Sequence, residues 1–600
     1  MKKHILISAI ALLVSFVASY AIPAYPGIMN FKQPDGTTIQ VRLHGDEFSS
    51  WYTTPSGTVL EFDSNGFLKP AVNGQAVVNR ARQQSINSPK RRSITPPNKT
   101  TTIGTVRIPV IIVQFSDVAF TVTGGDPGTA FSNMLNQAGY SYNGAVGSVA
   151  DFYHDNSNDA FNPIFDVYGP VPLSKSQAYY GSPYEGDGAN DDKAAEALYE
   201  AAIWLDANTD INFGQYDGDG DGEIDMTLMY FAGTNQAEGG GADKIWPHQW
   251  YVSSAYYYAH QLDSSFDAID PNHSFDGKTL NRYFCTSEIN YLGTLAGIGT
   301  TCHEFAHSLG LPDVYDTNYE TYGESGGTYN YDTMCSGSYN DRGRRPPFFN
   351  AFELEMLGWD VTIEALPASG DASLPAFSKG LKKAYRSESS TTDEYFLYEC
   401  RATTWDTHVE EPGLVVYHID KSTRDVHGRT ALYWWNNWNL NIYGDHPCCY
   451  IIPAGAQNYT EGPGASSGLY YTGDDFAFGV GGYDSYTPVD WAGETMAYTL
   501  GSIAYSAGNV TFNMGSGFPG TRRMSYIYDP NNGAYSAGDV FELTLVPSTV
   551  DAPTATSWYF DGAAVGTPTV TLTAGAHVIE ARLTLTSGAT QTVELELDVN

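Results

Sequence analysis

Positive charge is scarce in this sequence. Its 600 residues include 31 lysines and arginines against 68 aspartates and glutamates, which leaves a formal net charge of −37 at pH 7. Because a surface this acidic repels a phosphate backbone, nucleic acid is excluded as a partner. The same excess of carboxylates favours solubility and offers oxygen ligands for calcium.

Long hydrophobic runs are absent after the first 21 residues, so no membrane span is expected. The first 21 residues read MKKHILISAIALLVSFVASYA. Lys2 and Lys3 precede an apolar stretch, and Ser19 and Ala21 satisfy the small-residue rule for cleavage. These features predict a signal peptide that is cut after Ala21, and therefore a secreted protein.

Cysteine is also sparse, with six residues in the whole chain. An oxidising compartment permits disulfides, but six cysteines allow fifteen complete pairings and the sequence does not select one. Cys302 and Cys335 each adjoin a motif described below. A disulfide bridge near these motifs is therefore a hypothesis.

The order of strand and helix patterns divides the chain. A β-branched run at 106–115 predicts a buried strand, and the apolar spacing at 191–206 predicts a helix. A second buried strand is predicted at 224–233. After about residue 360 the helical patterns fade, and 394–402 and 412–420 indicate an all-β domain.

The two ends of the chain differ from this middle part. Residues 22 to about 100 alternate like short strands with turns and end in NSPKRRSITPPNKTTT at 87–102. This basic, proline-containing stretch predicts a linker that a trypsin-like protease can cut after Lys90, Arg91 or Arg92. The alternating segments after about residue 520 predict a small immunoglobulin-like sandwich.

The stretch TTCHEFAHSLGLPDVYD, residues 300–316, carries a candidate metal site. Residues four apart share one face of a helix, so His303 and His307 can bind one zinc ion through their ring nitrogens. Glu304 lies beside the first of these ligands. It is placed to act as the general base on a water molecule.

The end of this helix suggests a third ligand. Gly310 permits a left-handed stop, and Pro312 prevents the helix from continuing. The sharp turn that follows can return Asp313 to the metal as an oxygen ligand. Three protein ligands with one open position are the catalytic arrangement of zinc.

A second metal site is predicted in YDGDGDGEIDM, where acidic residues alternate with glycines. This spacing is typical of calcium loops, although Leu228 stands where an EF-hand places its bidentate glutamate. A shorter loop is therefore expected, with a structural role. Its predicted calcium ligands are Asp217, Asp219, Asp221, the carbonyl of Glu223, and Asp225.

HEFAHSLGLPD follows the extended metzincin pattern, and HSLGLPDVYD resembles the immune inhibitor A family of secreted bacterial metalloproteases. The resemblance covers roughly residues 30–515. It is carried by further blocks that are similar to the family: HGDEF, GSVADFYHDNS, YDGDGDGEIDMTLMYFAG, IWPHQW, YDTMCSGSY, LGWD, EYFLYECR and GLVVYHID.

The resemblance implies roles for individual residues. His303 and His307 are expected to be zinc ligands, Glu304 the base, and Met334 the Met-turn residue beneath them. For the third zinc ligand Asp313 fits the metzincin spacing, while two glutamates after the Met-turn remain alternatives: Glu353 and Glu355.

Latency and oxyanion binding are further expectations. The resemblance implies a propeptide that inhibits the enzyme. No cysteine lies between residues 22 and 100, which excludes a propeptide thiol on zinc. Asp46 or Glu47, in HGDEF, is an oxygen ligand that can cap the metal instead. Tyr339 can donate a hydrogen bond to the oxyanion of the reaction.

The sequence therefore predicts a secreted, zinc-dependent endopeptidase made as a latent zymogen, which acts on protein or peptide substrates. A catalytically silent adhesin or binding protein on a protease scaffold is the alternative. The predicted segments are a signal peptide (1–21), a propeptide (22–103), an α/β metzincin-like zinc protease domain (104–360), a β-sandwich domain (361–516) and an immunoglobulin-like C-terminal domain (517–600).

Overall fold

Strands outnumber helices in the computed structural model of this chain, which is a mixed α/β structure in several units. Among the residues that the structure describes, no helix is both long and apolar enough to cross a membrane. The described residues are 20–46, 49–87, 101–184, 191, 193–318, 325–402, 405–406, 412–452, 489–494, 500–514, 525–527, 535–547, 552–586 and 588–599.

The N-terminal unit is an antiparallel meander of five strands, β2 to β6 in order, followed by one helix. A two-residue strand, β1, precedes the meander. The elements are β1 (Tyr20–Ala21), β2 (Met29–Lys32), β3 (Thr38–Asp46), β4 (Ser49–Thr53), β5 (Val59–Phe62), β6 (Leu68–Pro70) and α1 (Gly74–Asn87).

The second unit contains the predicted metal site. Its strands are β7 (Gly104–Gln114), β8 (Phe161–Pro172), β9 (Thr227–Thr234), β10 (His248–Tyr251) and β11 (Arg282–Ile289). Its helices are α2 (Pro127–Asn136), α3 (Val149–Ser157), α4 (Gln177–Tyr180), α5 (Ala194–Asn208), α6 (Val252–Leu262), α7 (Gly299–Leu309), α8 (Asn340–Gly343) and α9 (Ala351–Leu357).

These strands and β1 form one six-stranded sheet in the order β1-β10-β11-β9-β7-β8. The four strands β11, β9, β7 and β8 are parallel, whereas β10 and β1 are antiparallel to their neighbours. Both faces of the sheet are covered, as a continuous apolar strand requires. In β7, Val110 and Ile112 face the core that contains α7, and Ile111 and Val113 face the core that contains α5.

The third unit is built of two sheets, in the orders β12-β14-β15-β16-β19 and β13-β21-β20. Its core lies between the two sheets and includes Leu374, Phe396, Val416 and Phe512. The elements are β12 (Thr362–Ala365), β13 (Gly370–Pro375), β14 (Lys383–Glu388), β15 (Glu394–Arg401), β16 (Gly413–Asp420), β17 (Asp425–Val426), β18 (Arg429–Thr430), α10 (Ala431–Asn436), β19 (Cys449–Ile451), β20 (Leu500–Ser506) and β21 (Asn509–Met514).

The C-terminal unit has a separate core and a four-stranded antiparallel sheet in the order β26-β25-β28-β29. The immunoglobulin-like assignment of residues 517–600 stays a prediction. The elements are β22 (Tyr526–Ile527), β23 (Val540–Glu542), β24 (Leu545–Val546), β25 (Pro553–Phe560), β26 (Ala563–Val565), β27 (Thr569–Thr571), β28 (Gly575–Leu585) and β29 (Thr590–Val599).

The six cysteines are buried and free, so the hypothesis of a disulfide near the site is wrong in this structure. Cys302 lies within α7 in the apolar core. The thiol of Cys335 points elsewhere, toward the carbonyl oxygen of Gly326 at 3.8 Å. Each cysteine therefore packs as a small apolar side chain.

Candidate metal centre

Helix α7 presents two histidines on one buried face and then stops abruptly. The side chains of His303 and His307 are fully buried. Gly310 caps the helix with a φ of +107°, a left-handed conformation that glycine adopts without a Cβ clash. Its N–H donates to the carbonyls of Ala306 and His307. The chain then reverses direction, which brings Asp313 to the histidines.

Three ligand atoms converge after this turn. The Nε2 atoms of His303 and His307 are 3.2 Å apart. Oδ1 of Asp313 lies 3.2 Å from the first Nε2 and 3.5 Å from the second. Ligands that surround a tetrahedral zinc at about 2.0–2.1 Å are about 3.3 Å from one another. The three atoms therefore have the spacing of one face of a zinc tetrahedron.

The orientation of both rings is fixed by backbone carbonyls. Nδ1 of His303 is 2.8 Å from the carbonyl oxygen of Thr333, and Nδ1 of His307 is 2.8 Å from that of Leu311. A carbonyl oxygen only accepts, so each Nδ1 carries the ring proton. Each Nε2 is then left with a lone pair that can bind a metal.

The charges at this centre fit a cation. Burial lowers the pKa of His307 to about 4, which keeps this ring neutral. Burial also opposes the charged form of His303, but the hydrogen bond and charge of Asp313 outweigh it and raise the pKa of His303. Two imidazoles and one carboxylate suit zinc.

Glu304 lies beside this group and is fully buried. Its Oε1 accepts a hydrogen bond of 2.8 Å from the main-chain N–H of Ile22, 282 positions away. Its Oε2 has no hydrogen-bond partner among the described residues. Burial raises the pKa of Glu304 to about 8, which makes the carboxylate a stronger proton acceptor than an exposed glutamate.

The predicted Met-turn touches both segments that carry ligands. Met334 is buried, and its carbonyl oxygen accepts from the N–H of Val314, next to Asp313. The preceding residue, Thr333, supplies the carbonyl that orients His303. Asp332 fixes this turn by accepting from the N–H of Met334 at 2.7 Å.

Tyr339, predicted to donate to an oxyanion, donates to a peptide carbonyl in this structure. Its hydroxyl lies 2.7 Å from the carbonyl oxygen of Pro23, in the segment that also contacts Glu304. The phenol therefore binds the carbonyl of the residue that follows Ile22, whose nitrogen contacts Glu304.

The alternative ligands lie outside the group of converging atoms. Within the described residues that group is His303, His307 and Asp313. Glu353 instead accepts from the N–H of Asn350 in the capping box of α9, and Glu355 is exposed. Asp46, expected to cap the metal, is buried but accepts from the N–H of Ser49 in its own hairpin. Glu47 lies outside the described residues.

The predicted calcium loop is brought together in part. The carboxylates of Asp217, Asp219 and Asp225 lie within 4.8 Å of one another. The Asp221 carboxylate does not join them and accepts from the N–H of Glu223. The Glu223 carbonyl stays a predicted ligand. The ammonium group of Lys278 contacts Asp217, so a cation would share that carboxylate. Calcium binding remains a prediction.

The contacts of Ile22 and Trp246 were not predicted from the sequence. Ile22 reaches Glu304 from the other end of the protein, and the indole N–H of Trp246 donates to the carbonyl of Ile22 at 2.9 Å. No local spacing connects residues so far apart. The block IWPHQW was the one feature that pointed toward Trp246, although no role followed from it.

The part of the chain that carries these residues is similar to known proteins. The family model described as "Immune inhibitor A peptidase M6, catalytic domain" matches residues 128–357. Over 228 residues the chain is 28% identical to the "Pre-pro-metalloprotease PrtV" of Vibrio cholerae serotype O1, which covers 35% of this chain and 23% of that protein. Over 304 residues it is 24% identical to "Immune inhibitor A" of Bacillus thuringiensis subsp. alesti, covering 44% and 41%.

The matched stretches thus span well under two thirds of either relative. Among solved structures, the wild-type OgpA of Akkermansia muciniphila aligns with 85% of this chain and 96% of its own, at 10% identity and a TM-score of 0.19. A TM-score this low supports no inference about fold or activity.

Proposed function

Because residues 128–357 carry an immune inhibitor A peptidase M6 domain, we propose that this protein is a zinc-dependent endopeptidase of the metzincin-like type. The observation that carries the proposal is the convergence of His303, His307 and Asp313 at 3.2–3.5 Å beside the buried carboxylate of Glu304. A silent scaffold has no need of a base with a raised pKa next to three metal ligands.

Each residue has a chemical task in this proposal. His303, His307 and Asp313 would hold the zinc, which when bound polarises the scissile carbonyl and lowers the pKa of a water molecule. Glu304 accepts the proton of that water at Oε2, the oxygen that has no other partner. Hydrolysis breaks the C–N bond and adds the hydroxyl to the carbonyl carbon. Glu304 then delivers the proton to the leaving nitrogen.

We also propose that the protein is exported and made as a latent zymogen. Residues 1–21 have the composition of a signal peptide, and residues 22–103 would be the inhibitor. The support for latency is that Ile22 and Pro23 lie against Glu304 and Tyr339. Substrates would be proteins or peptides outside the cell.

The direct test measures zinc content and casein cleavage after trypsin treatment of the linker at 87–102. Wild type and Glu304→Gln are expected to retain about one zinc per chain, and only the wild type is expected to cut. Glu355→Gln, at an exposed position on α9, is the matched control and should cut like the wild type. A Glu304→Gln protein that cuts casein at the wild-type rate would refute the assigned base.

A further inference from the structure

The segment Ile22–Tyr25 lies against Glu304, Trp246 and Tyr339, a surface called the cleft from here on, and its backbone is bound at consecutive residues. The N–H of Ile22 donates to Glu304 at 2.8 Å, and its carbonyl accepts from the indole of Trp246 at 2.9 Å. The carbonyl of Pro23 accepts from the hydroxyl of Tyr339 at 2.7 Å. These donors and acceptors engage main-chain atoms, which every peptide has.

In the uncut chain, the last two residues of the predicted signal peptide add a strand to the edge of the sheet. Strand β1 pairs antiparallel with β10, with Tyr20 opposite Gln249 and Ala21 opposite His248. Addition of an extended peptide to a free sheet edge is a general mode of peptide recognition. The peptide bond between Ala21 and Ile22 is therefore presented to Glu304 by strand pairing on one side and by Trp246 on the other.

The nitrogen of this bond is in the position of a leaving group. The proposed base must reach the nitrogen of the broken bond to deliver its proton, and the nitrogen that contacts Glu304 is that of Ile22. In a substrate with the same placement, Ile22 corresponds to the first residue after the cut, and Pro23 to the second. The contacts of these two residues then identify binding sites for substrate.

We propose that Trp246 and Tyr339 bind the carbonyls of the first and second residues after the cut bond, and that the enzyme selects an apolar residue at the first position. The inference rests on the proposed endopeptidase function and deepens it. In the chain before signal-peptide removal, residues 20–25 occupy this cleft in the manner of a substrate, and residues 22–25 are the part that the exported chain keeps after the predicted cut at Ala21.

The surroundings of Ile22 account for the apolar preference. Its side chain is fully buried in an apolar cluster that combines residues of the N-terminal unit, such as Val41 and Leu43, with Ala237, Trp246 and Tyr339 of the second unit. A carboxylate in this cluster would lose its hydration next to Glu304 and gain no partner. Farther along the segment the ring of Tyr25 stacks on Tyr291 at 4.0 Å, which adds an aromatic contact at the fourth position.

A synthetic peptide tests the specificity directly. The peptide VASYAIPAYPG, residues 17–27, contains no lysine or arginine, so residual trypsin cannot cut it. Trypsin-treated wild-type protein is expected to cut it between the alanine and the isoleucine, as mass spectrometry would record. Replacement of that isoleucine by aspartate is expected to lower kcat/KM by about 100-fold or more, since the carboxylate must be desolvated without a partner.

The outcomes separate the two levels of the proposal. Cleavage of casein without cleavage of this peptide at the alanine–isoleucine bond, or equal rates for the isoleucine and aspartate peptides, would overturn the assigned cleft and leave the endopeptidase function standing. Failure of every zinc-loaded form to cut either casein or peptide would overturn both.

The role of Trp246 has its own test. Trp246→Phe keeps an aromatic ring and removes the N–H donor, so KM for the peptide is expected to rise about 3- to 10-fold, the effect of one hydrogen bond. Trp204→Phe, on α5 in the other core, is the matched control and should leave KM unchanged. An unchanged KM in Trp246→Phe protein that holds zinc and melts like the control would refute the assignment.

Occupation of the cleft by the chain itself is tested on protein that has not been treated with trypsin. Ile22→Asp puts a carboxylate into the apolar cluster beside Glu304, so the segment should leave the cleft and the untreated chain should cut casein. Ile28→Asp changes an exposed residue three positions after the segment and should stay as latent as the wild type. Equal latency of the two variants would contradict the proposal.

Discussion

At the scale of single residues, the amino-acid pattern predicted the atoms that can bind the metal but not the atoms that orient them. His303, Glu304 and His307 have side chains that few other functions require at this spacing, and Gly310 predicted the turn that returns Asp313. The carbonyls of Thr333 and Leu311 orient both rings. Every residue has a carbonyl, so no residue type in the sequence marks these two.

The third ligand gives a prediction at this scale. Asp313→Ala removes one of the three converging atoms, so zinc affinity is expected to fall by about 100-fold or more, beyond the usual effect of losing an orienting partner. Dialysis against a graded series of chelator concentrations, followed by metal analysis, measures the change. Glu353→Gln serves as the comparison, because it tests the alternative ligand. Loss of zinc from Glu353→Gln but not from Asp313→Ala would reverse the assignment.

At the scale of helices and strands, the elements predicted from apolar periodicity are present with small shifts at their ends. The strand expected at 106–115 is β7, Gly104–Gln114, and the helix expected at 191–206 is α5, Ala194–Asn208. Pairing between distant elements was not predictable in the same way. Strand β1 joins a sheet whose other strands begin more than 80 residues later, and only tertiary packing determines such a contact.

The acidic loop before β9 leads to a prediction about pH. Burial raises the pKa of Asp225 to about 6, and the carboxylates of Asp217, Asp219 and Asp221 add to the effect. The folded chain thus holds this proton more tightly than the unfolded chain. Stability attributable to Asp225 is therefore present at low pH and is lost as the pH rises from about 4 to about 6.

Asp225→Asn removes this titration. With calcium removed by a chelator, the wild type should lose stability as the pH rises from about 4 to about 6, and the variant should not. The melting temperature of the variant minus that of the wild type is therefore expected to increase over this range. Near neutral pH, calcium should raise the melting temperature of the wild type and have little effect on the variant. Thermal scans over a pH series provide the measurement. Identical calcium responses of both proteins would show that the loop is no calcium site.

At the scale of the whole molecule, two units that the sequence divides near residue 360 share one core. The cluster that contains Phe305 of α7 also contains Leu397, Tyr417 and Ile451 of the third unit. The helical patterns of the sequence fade at this boundary, and the sequence therefore suggested separate domains. Burial of the same apolar cluster by both units is a tertiary property that composition does not record.

A buried ion-paired group of the third unit forms hydrogen bonds across the same boundary. The Arg401 guanidinium, whose side chain is 1% exposed, lies 2.7 Å from Glu399 and 3.2 Å from Asp406. It also donates to the carbonyl of Phe348, before α9. Removing the guanidinium leaves two carboxylates buried without a cation.

Arg401→Leu is therefore expected to destabilise the protein by about 3–5 kcal/mol, measured by denaturant unfolding. Lys379→Leu is the matched control, since Lys379 forms an exposed pair with Asp159 across the same boundary at 2.6 Å. Its loss should cost no more than about 1 kcal/mol. Equal losses in the two variants would mean that burial of the Arg401 pair adds nothing to the cohesion of the units.

The shared core determines which parts of this protein can be exchanged between genes. The C-terminal unit has an apolar core made of its own residues, so recombination can replace it without exposing apolar surface elsewhere. The third unit has no such independence, because Leu397, Tyr417 and Ile451 cover the core beneath the metal centre. Descent should therefore keep the second and third units together as one inherited block, while the C-terminal unit varies from one lineage to another.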